Sequence, residues 1–398
     1  MKSQKHSSLG KIENLKIALV HDYLKEYGGA ESVLEALSDI FPQADIFTSI
    51  YIPRFFGPHQ SRLTRKWQGR LHTSFLQFFP FKAKLISLFR FISPLAFKSF
   101  DFSGYDLVIT SATGAYFPNA LNKGKAKLIC YCHTPPRYLY GLATARDLKS
   151  APILNFFAQI AFHFFRLLDF KYAQNVDQFI SNSQTTRLRI KKFYRKDAVI
   201  INPPVDIPNG LKIKNFKLKI TKNEYFLTGG RLARAKRYDI AILACNKLKL
   251  PLKIFGRDFA SHLDELKAIA GPTIEFLGEV SQAEKTKLFT NALAYFMCSD
   301  NEDFGIVTVE AMAHGTPVIG YRSGGVAETV IDGKTGVLFD NLTPDSCIKA
   351  IQKFQKLFYS RHCEQSEAIS EACISQAQKF SPQVFTSKIT KLVSSLTS

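Results

Sequence analysis

Ten short apolar runs recur along this chain with helical stretches between them, and that rhythm narrows the fold to the α/β class. The first five are Lys16 to His21, Leu107 to Ser111, Lys127 to Cys132, Gln178 to Asn182 and Val199 to Ile201. The second five are Tyr225 to Gly229, Leu252 to Phe255, Ile274 to Leu277, Ala294 to Met297 and Pro317 to Gly320. Strands that pair in parallel need a crossover connection, usually a helix, so the alternation predicts parallel sheets with helices on their faces. The two groups part at Asn202-Pro203-Pro204-Val205-Asp206, where two prolines end a strand and a lysine-rich stretch, Lys212 to Lys222, follows. Two Rossmann-like domains are expected, 1–205 and 206–380. In a chain of 398 residues each is large enough for its own core.

Seven scattered cysteines do not form a secreted disulfide framework, so a reducing cytoplasm is expected. Cys130-x-Cys132-His133 has no second pair at a spacing that closes a tetrahedral site, and no metal is expected. Residues 1–14 show no signal-peptide pattern, and the apolar window Ala151 to Phe170 carries too many polar residues for a bilayer span. The net charge is +20, and its distribution matters more than its size. Ile46 to Phe100 contains no acid but nine Arg or Lys residues, among them Arg62, Arg65, Lys66, Arg70, Lys82, Lys84, Arg90 and Lys98, interleaved with Trp67 and a dozen Phe or Tyr. Basic and aromatic side chains on short helices suit an anionic membrane surface, expected here through residues 54–98. The competing reading makes the aromatics core and the charges a solvated rim. No nucleic-acid module accompanies the charge, and nucleic acid is not expected as a partner.

The chemistry concentrates in Glu302-Asp303-Phe304-Gly305-Ile306-Val307-Thr308-Val309-Glu310, followed by Ala311-Met-Ala-His314, Gly315-Thr-Pro-Val318 and Gly324-Gly325. Glu302 to Gly305 reads as a loop and Val307 to His314 as a helix, which leaves free N–H groups near Gly305, Ile306 and Val307. Such a helix start suits a pyrophosphate, and flanking carboxylates can accept hydrogen bonds from sugar hydroxyls. On spacing alone, two solvated acids would serve as well. The order of Glu302-Asp-Phe-Gly305, Glu310-Ala-Met-Ala, Gly315-Thr-Pro-Val-Ile and Gly324-Gly325-x-x-Glu328 resembles the retaining GT-B glycosyltransferases of family 4. The Asp303 variant is most similar to the bacterial mannosyltransferase-like branch that builds surface polysaccharides and lipopolysaccharide.

That resemblance implies two Rossmann-like domains facing a central cleft, the first binding acceptor and the second nucleotide sugar, with a terminal helix at 381–398 packing back on the first. It implies that Glu302 holds donor-sugar hydroxyls, that Glu310 takes the ribose, and that Phe304 to Val307 line the donor. Gly230-Arg231-Leu-Ala-Arg234-Ala-Lys236 follows a strand. A fork from Arg231 and a point charge from Lys236 suit a departing diphosphate, although a solvated basic turn is common in a chain this cationic. The resemblance places diphosphate binding on these two and leaves Arg234 and Arg237 open. Gly256 and Gly278-Glu279-Val280 would line the nucleoside end.

His21-Asp22-Tyr23-Leu24 and Gly28-Gly29-Ala30-Glu31 follow the first strand, where Gly28 and Gly29 allow backbone to approach a phosphate or form an ordinary turn. The resemblance assigns Gly28 and Gly29 to the donor and Asp22 and Tyr23 to the acceptor. In Tyr131-Cys132-His133-Thr-Pro-Pro-Arg137 it gives His133 to the donor sugar or acceptor and Arg137 to an acceptor phosphate. Phe358 to Cys373 looks like a polar insertion, structurally tolerated and functionally silent.

The function implied is retaining transfer of a hexose, mannose preferred, from a nucleoside-diphosphate sugar to a lipid-linked glycan at the inner face of the cytoplasmic membrane. No cofactor is implied, because two cations and a helix start supply the positive charge. GDP, UDP and ADP donors are not separated by the sequence, and the preference for GDP-mannose is what the resemblance implies. The rivals are a GT-B sugar-nucleotide epimerase and a non-catalytic member that binds nucleotide or membrane.

Overall fold

The protein is described by a computed structural model covering residues 14–142, 152–208, 224–358 and 363–397. Two compact units are present. One comprises residues up to 142, 152–204 and the segment from Pro382 onward; the other runs from Val205 to Ser381.

The first unit is built on seven parallel strands: β1 (Ile17–His21), β2 (Asp45–Thr48), β3 (Leu71–Thr73), β4 (Leu107–Ala112), β5 (Lys127–Cys132), β6 (Gln178–Ser181) and β7 (Ala198–Ile200). Their order is β3-β2-β1-β4-β5-β6-β7. The central strands β1 and β4 are buried at every residue, because helices cover both faces and only continuous apolar runs tolerate that environment. The terminal helix Pro382–Thr397 belongs to this unit and buries Phe385, Ile389 and Val393, spaced four apart on one face, in a cluster with Leu19, Val33, Leu37 and Trp67.

The second unit holds six parallel strands: β8 (Tyr225–Leu232), β9 (Leu252–Asp258), β10 (Ile274–Gly278), β11 (Ala292–Met297), β12 (Val318–Tyr321) and β13 (Gly336–Phe339), in the order β10-β9-β8-β11-β12-β13. In both sheets the order reverses once, between β1 and β4 and between β8 and β11. Ligands of open parallel sheets gather beyond the carboxyl ends of the strands at such a reversal. The loops after β1, β4, β8 and β11 are therefore where chemistry is expected.

The segment expected to be a silent insertion is instead structural. Residues 359–362 lie outside the described residues, but Cys363–Gln378 forms a helix that packs against the helix Ile306–Ala313. It buries Ser370, Cys373, Gln376 and Ala377, and Gln376 donates to the Thr329 carbonyl at 3.0 Å. A Cβ on Gly315 would lie 2.1 Å from Ser370 Oγ, so small side chains let the two elements approach closely.

Candidate active site

In the second unit, β8 ends in Gly229-Gly230-Arg231-Leu232, and the turn beyond it carries Arg234 to Lys236. Ser299 Oγ and Asp300 N–H, just past β11, both donate to the Ala235 carbonyl, which ties the two loops across the sheet reversal. Lys236 Nζ thereby lies 2.5 Å from Glu302 Oε2, both side chains being half-buried. Arg231 is exposed, with its guanidinium 5.2 Å over the Phe259 ring. Arg234 and Arg237 are engaged elsewhere, on Glu265 and Asp239.

Gly305 caps the helix Ile306–Ala313 in the left-handed region at φ 80°; Thr308 N–H makes the first bond, to the Gly305 carbonyl at 2.9 Å, and the Ile306 and Val307 N–H groups ahead of it have no intrahelical acceptor. Phe304 is buried among Val309, Met312 and Val326, whereas Val280, Ile306 and Val307 pack half-buried at the same cluster. Glu310 sits one turn into the helix and accepts from Lys285 Nζ at 2.6 Å. Lys285 is missed by sequence reasoning. The nearest signal is Ser281-x-x-Glu284, a capping box that starts the helix Gln282–Asn291 carrying it.

Gly324 and Gly325 act on the Glu302 loop from outside. Gly325 N–H donates to the Glu302 carbonyl at 2.8 Å. A Cβ on Gly324 would lie 2.0 Å from that same oxygen, and one on Gly325 would lie 2.3 Å from Phe304 Cα. Gly256 likewise pairs with Gly230, where a Cβ would meet the Gly230 carbonyl at 1.7 Å. Its requirement for glycine is thus already met by strand contact.

In the first unit, the ends of β1, β4 and β5 bring His21, Ser111 and His133 into one hydrogen-bonded row, with Ser111 Oγ 3.0 Å from a nitrogen of each ring. His133 N–H donates to the Ala112 carbonyl, and its own carbonyl accepts from Asn182 and Thr186. Asn182 is spent on this contact. Burial, and secondarily the neighbouring His21, pulls the His133 pKa down to about 3, so the ring is neutral at physiological pH.

Asp22, given to the acceptor by the resemblance, lies just past β1. It is fully buried, and its Oδ2 takes N–H bonds from Thr113, Ala115 and Tyr116 and the Thr113 hydroxyl at 2.5 Å. It anchors the loop after β4. Burial raises its pKa, opposed by His21 and by the bonds to Thr113 and Tyr116. Tyr23 is half-buried against Tyr116, with ring centroids 5.0 Å apart, and Arg137 is half-buried in the turn after β5. Gly28 and Gly29 are exposed at the start of the helix Gly29–Ile40, where Glu31 Oε2 accepts the Gly28 N–H at 2.9 Å.

The basic aromatic stretch divides in two. Trp67 is core, 1% exposed and donating to Ser38 Oγ. Arg62 and Lys66 pair with Glu35, Lys66 also with Asp39, and Arg70 donates to the carbonyls of Pro42, Ala44 and Lys66. For this part the rim-and-core reading holds. Exposed apolar side chains lie farther along, at Phe75, Phe78, Phe79, Phe81, Leu88 and Leu95, with Phe78 and Phe81 at 84% and 76%. Among the described residues no helix is long and apolar enough to cross a membrane, and no three His, Cys, Asp or Glu side chains converge as metal ligands.

Comparison with known proteins agrees with this arrangement. Residues 27–208 match the model of Glycosyltransferase Family 4, and residues 211–372 match that of Glycosyl transferases group 1. The chain is 26% identical to an alpha-1,3/1,6-mannosyltransferase alg2 of Schizosaccharomyces pombe, over 60% of this chain and 53% of that one. It is 26% identical to human ALG2 over 73% of this chain and 74% of that one. Against several relatives it spans about half their length or less, 53%, 45% and 31%. Two solved structures share the fold over 96% of this chain: Anabaena Alr3699/HepE in complex with UDP and glucose, at TM-score 0.68 and 17% identity over all of that chain, and sucrose-phosphate synthase from Thermosynechococcus elongatus, at 0.69 and 18% over 99% of it. Two parallel-sheet Rossmann-like units, the ordered Glu302 to Glu328 motif and both family matches together make this chain a member of the GT-B glycosyltransferases of family 4.

Proposed function

We propose that this glycosyltransferase moves a hexose, mannose before others, from a nucleoside-diphosphate sugar to a lipid-linked glycan in surface polysaccharide or lipopolysaccharide synthesis, with retention of anomeric configuration. The observation that carries the donor assignment is the Lys236–Glu302 contact beside the Gly305 helix start at the sheet reversal. Without ligand, cation and carboxylate neutralise one another. A diphosphate offers Lys236 an anion of higher charge, and sugar hydroxyls can then donate to Glu302. Arg231 is exposed and adds a fork-shaped donor for the same diphosphate. Glu310, steadied by Lys285, accepts ribose hydroxyls. Preorganised positive charge stabilises the leaving group, and the departing phosphate takes the acceptor proton, so the reading needs neither a protein nucleophile nor a metal.

Mannose is favoured by the names of the alg2 relatives, while the UDP bound to HepE makes UDP a required arm of any test. The protein works at the inner face of the cytoplasmic membrane, supported by exposed Phe78 and Phe81 beside Lys82 and Lys84 in a stretch without acids. The test is release of nucleoside diphosphate from GDP-mannose, UDP-glucose and ADP-glucose, with and without a synthetic glycolipid bearing a terminal hexose. The proposal expects release from one donor, stimulated by the glycolipid and lost in Arg231→Ala, with an α-linked product from an α-linked donor. Release that ignores the glycolipid, or appearance of an epimeric sugar, favours an epimerase and overturns it.

A further inference from the structure

The row of His21, Ser111 and His133 has a fourth member. Ser111 Oγ lies 3.0 Å from His21 Nδ1 and 3.0 Å from His133 Nε2, and His21 Nε2 faces Glu31 Oε1 at 3.5 Å. Glu31 is fixed in turn, because its Oε2 accepts the Gly28 N–H. His21 and Ser111 are wholly buried and His133 nearly so, which leaves the chain little choice of partners outside itself.

A hydroxyl has one proton to donate. Between two neutral rings, Ser111 gives that proton to one imidazole and accepts from the other, so only one of the two facing nitrogens carries a hydrogen. Glu31 decides which. A carboxylate beside His21 Nε2 favours an N–H there, which leaves His21 Nδ1 bare to accept from Ser111. Ser111 then accepts from His133 Nε2–H, and His133 Nδ1 keeps its lone pair. The reverse order would set the bare His21 Nε2 lone pair against a buried carboxylate. A doubly protonated His21 would also reverse the chain. That reversal would leave His133 Nε2 bare and put its hydrogen on Nδ1.

We propose that Glu31, His21 and Ser111 are positioning residues that fix His133 in its Nε2–H tautomer, so that Nδ1 is a hydrogen-bond acceptor reserved for a ligand hydroxyl. This rests on the reading of His133 as ligand-facing. Nδ1 makes no hydrogen bond among the described residues, and the backbone bonds to Ala112, Asn182 and Thr186 hold the ring's attachment fixed. A bare nitrogen selects a sugar hydroxyl and rejects a carbonyl or phosphate oxygen, which has no proton to offer.

The test uses full-length protein labelled with 15N-histidine and a long-range proton–nitrogen correlation spectrum, with His133 assigned from its absence in His133→Asn. Wild type is expected to show a protonated Nε2 and a bare Nδ1. Glu31→Gln should invert this, because the amide oxygen keeps the Gly28 N–H while the NH2 donates to His21 Nε2. Ser111→Ala should lower kcat for sugar transfer roughly tenfold, the worth of one hydrogen bond, with donor KM unchanged, and Ser111→Thr should restore it. A protonated Nδ1 in wild type overturns the proposal without reference to activity. The expected spectrum combined with unaltered kcat in Ser111→Ala overturns the ligand-facing role of His133 instead.

Discussion

Gly324 offers a sharp test of how the Glu302 loop is held. It sits at φ 56°, and a Cβ there would lie 2.0 Å from the Glu302 carbonyl oxygen and 3.0 Å from its carbonyl carbon and nitrogen. All three are backbone atoms, so no rotamer change relieves the contact, and the loop must retreat by roughly 1.5 Å to reach van der Waals distance. The Gly324→Ala cost has three parts. The left-handed backbone contributes about 1–2 kcal/mol, the displaced loop at least about 1 kcal/mol, and the weakened Gly325 to Glu302 hydrogen bond about 1 kcal/mol. Gly333 supplies the control, since it has φ 76° and nothing within 4 Å of its Cβ position. Gly333→Ala should cost only the backbone part. The difference of about 2 kcal/mol corresponds to roughly 4–8 °C in the melting transition of a unit this size, read by calorimetry of both variants beside wild type. Nucleotide-induced stabilisation should also fall in Gly324→Ala and persist in Gly333→Ala. Equal melting points for the two variants would refute the reasoning.

Trp67→Ala should destabilise the first unit by about 3–5 kcal/mol, seen as a lower denaturation midpoint in urea, because the ring is core. Ala377→Asp should unfold the second unit or lower its transition sharply, by placing an unpaired carboxylate among Val309, Met312 and Cys373, whereas exposed Glu371→Ala should leave circular dichroism melting unchanged. Asp169 is buried with Tyr140 Oη 2.8 Å away, and burial raises its pKa to about 7 against 3.8. Its contribution to the first unit's stability is full below pH 4 and lost as pH rises through about 7, a slope that Asp169→Asn should flatten in pH-dependent melts.

Strands covered on both faces were legible because continuous apolar runs leave few alternatives, and β5 begins and ends where its sequence suggests. The strands that escape notice are short. β3 is Leu-His-Thr at a half-exposed edge, β2 has four residues, and β13 is four residues behind a turn. The helix Cys363–Gln378 escapes for another reason. Its buried stripe, Ser370, Cys373, Gln376 and Ala377, is small or polar, so no hydrophobic period marks it.

The site was legible as motifs and not as contacts. Glu302, Lys236 and Glu310 each stand out in the sequence, yet Lys236 meets Glu302 across 66 residues, and Lys285 carries no signature of its own. Ser111 is an unremarked serine at a strand end, and only the β1–β4–β5 pairing places it between two histidines. Asp22 also stands beside a motif, and only the structure shows that the loop amides of Thr113, Ala115 and Tyr116 take up its Oδ2.

The central claim is that the second unit binds a nucleoside-diphosphate sugar through Arg231, Lys236 and Glu310. It is tested most directly by the thermal shift of wild type and Arg231→Ala with GDP, UDP, ADP and their sugar conjugates at saturating concentration. At about a hundred times the dissociation constant a ligand stabilises by about 2.7 kcal/mol, roughly 5–11 °C for a unit of this size. The account predicts that shift for one nucleotide family in wild type and its collapse in Arg231→Ala. No shift with any nucleotide, or an equal shift in the variant, would contradict it.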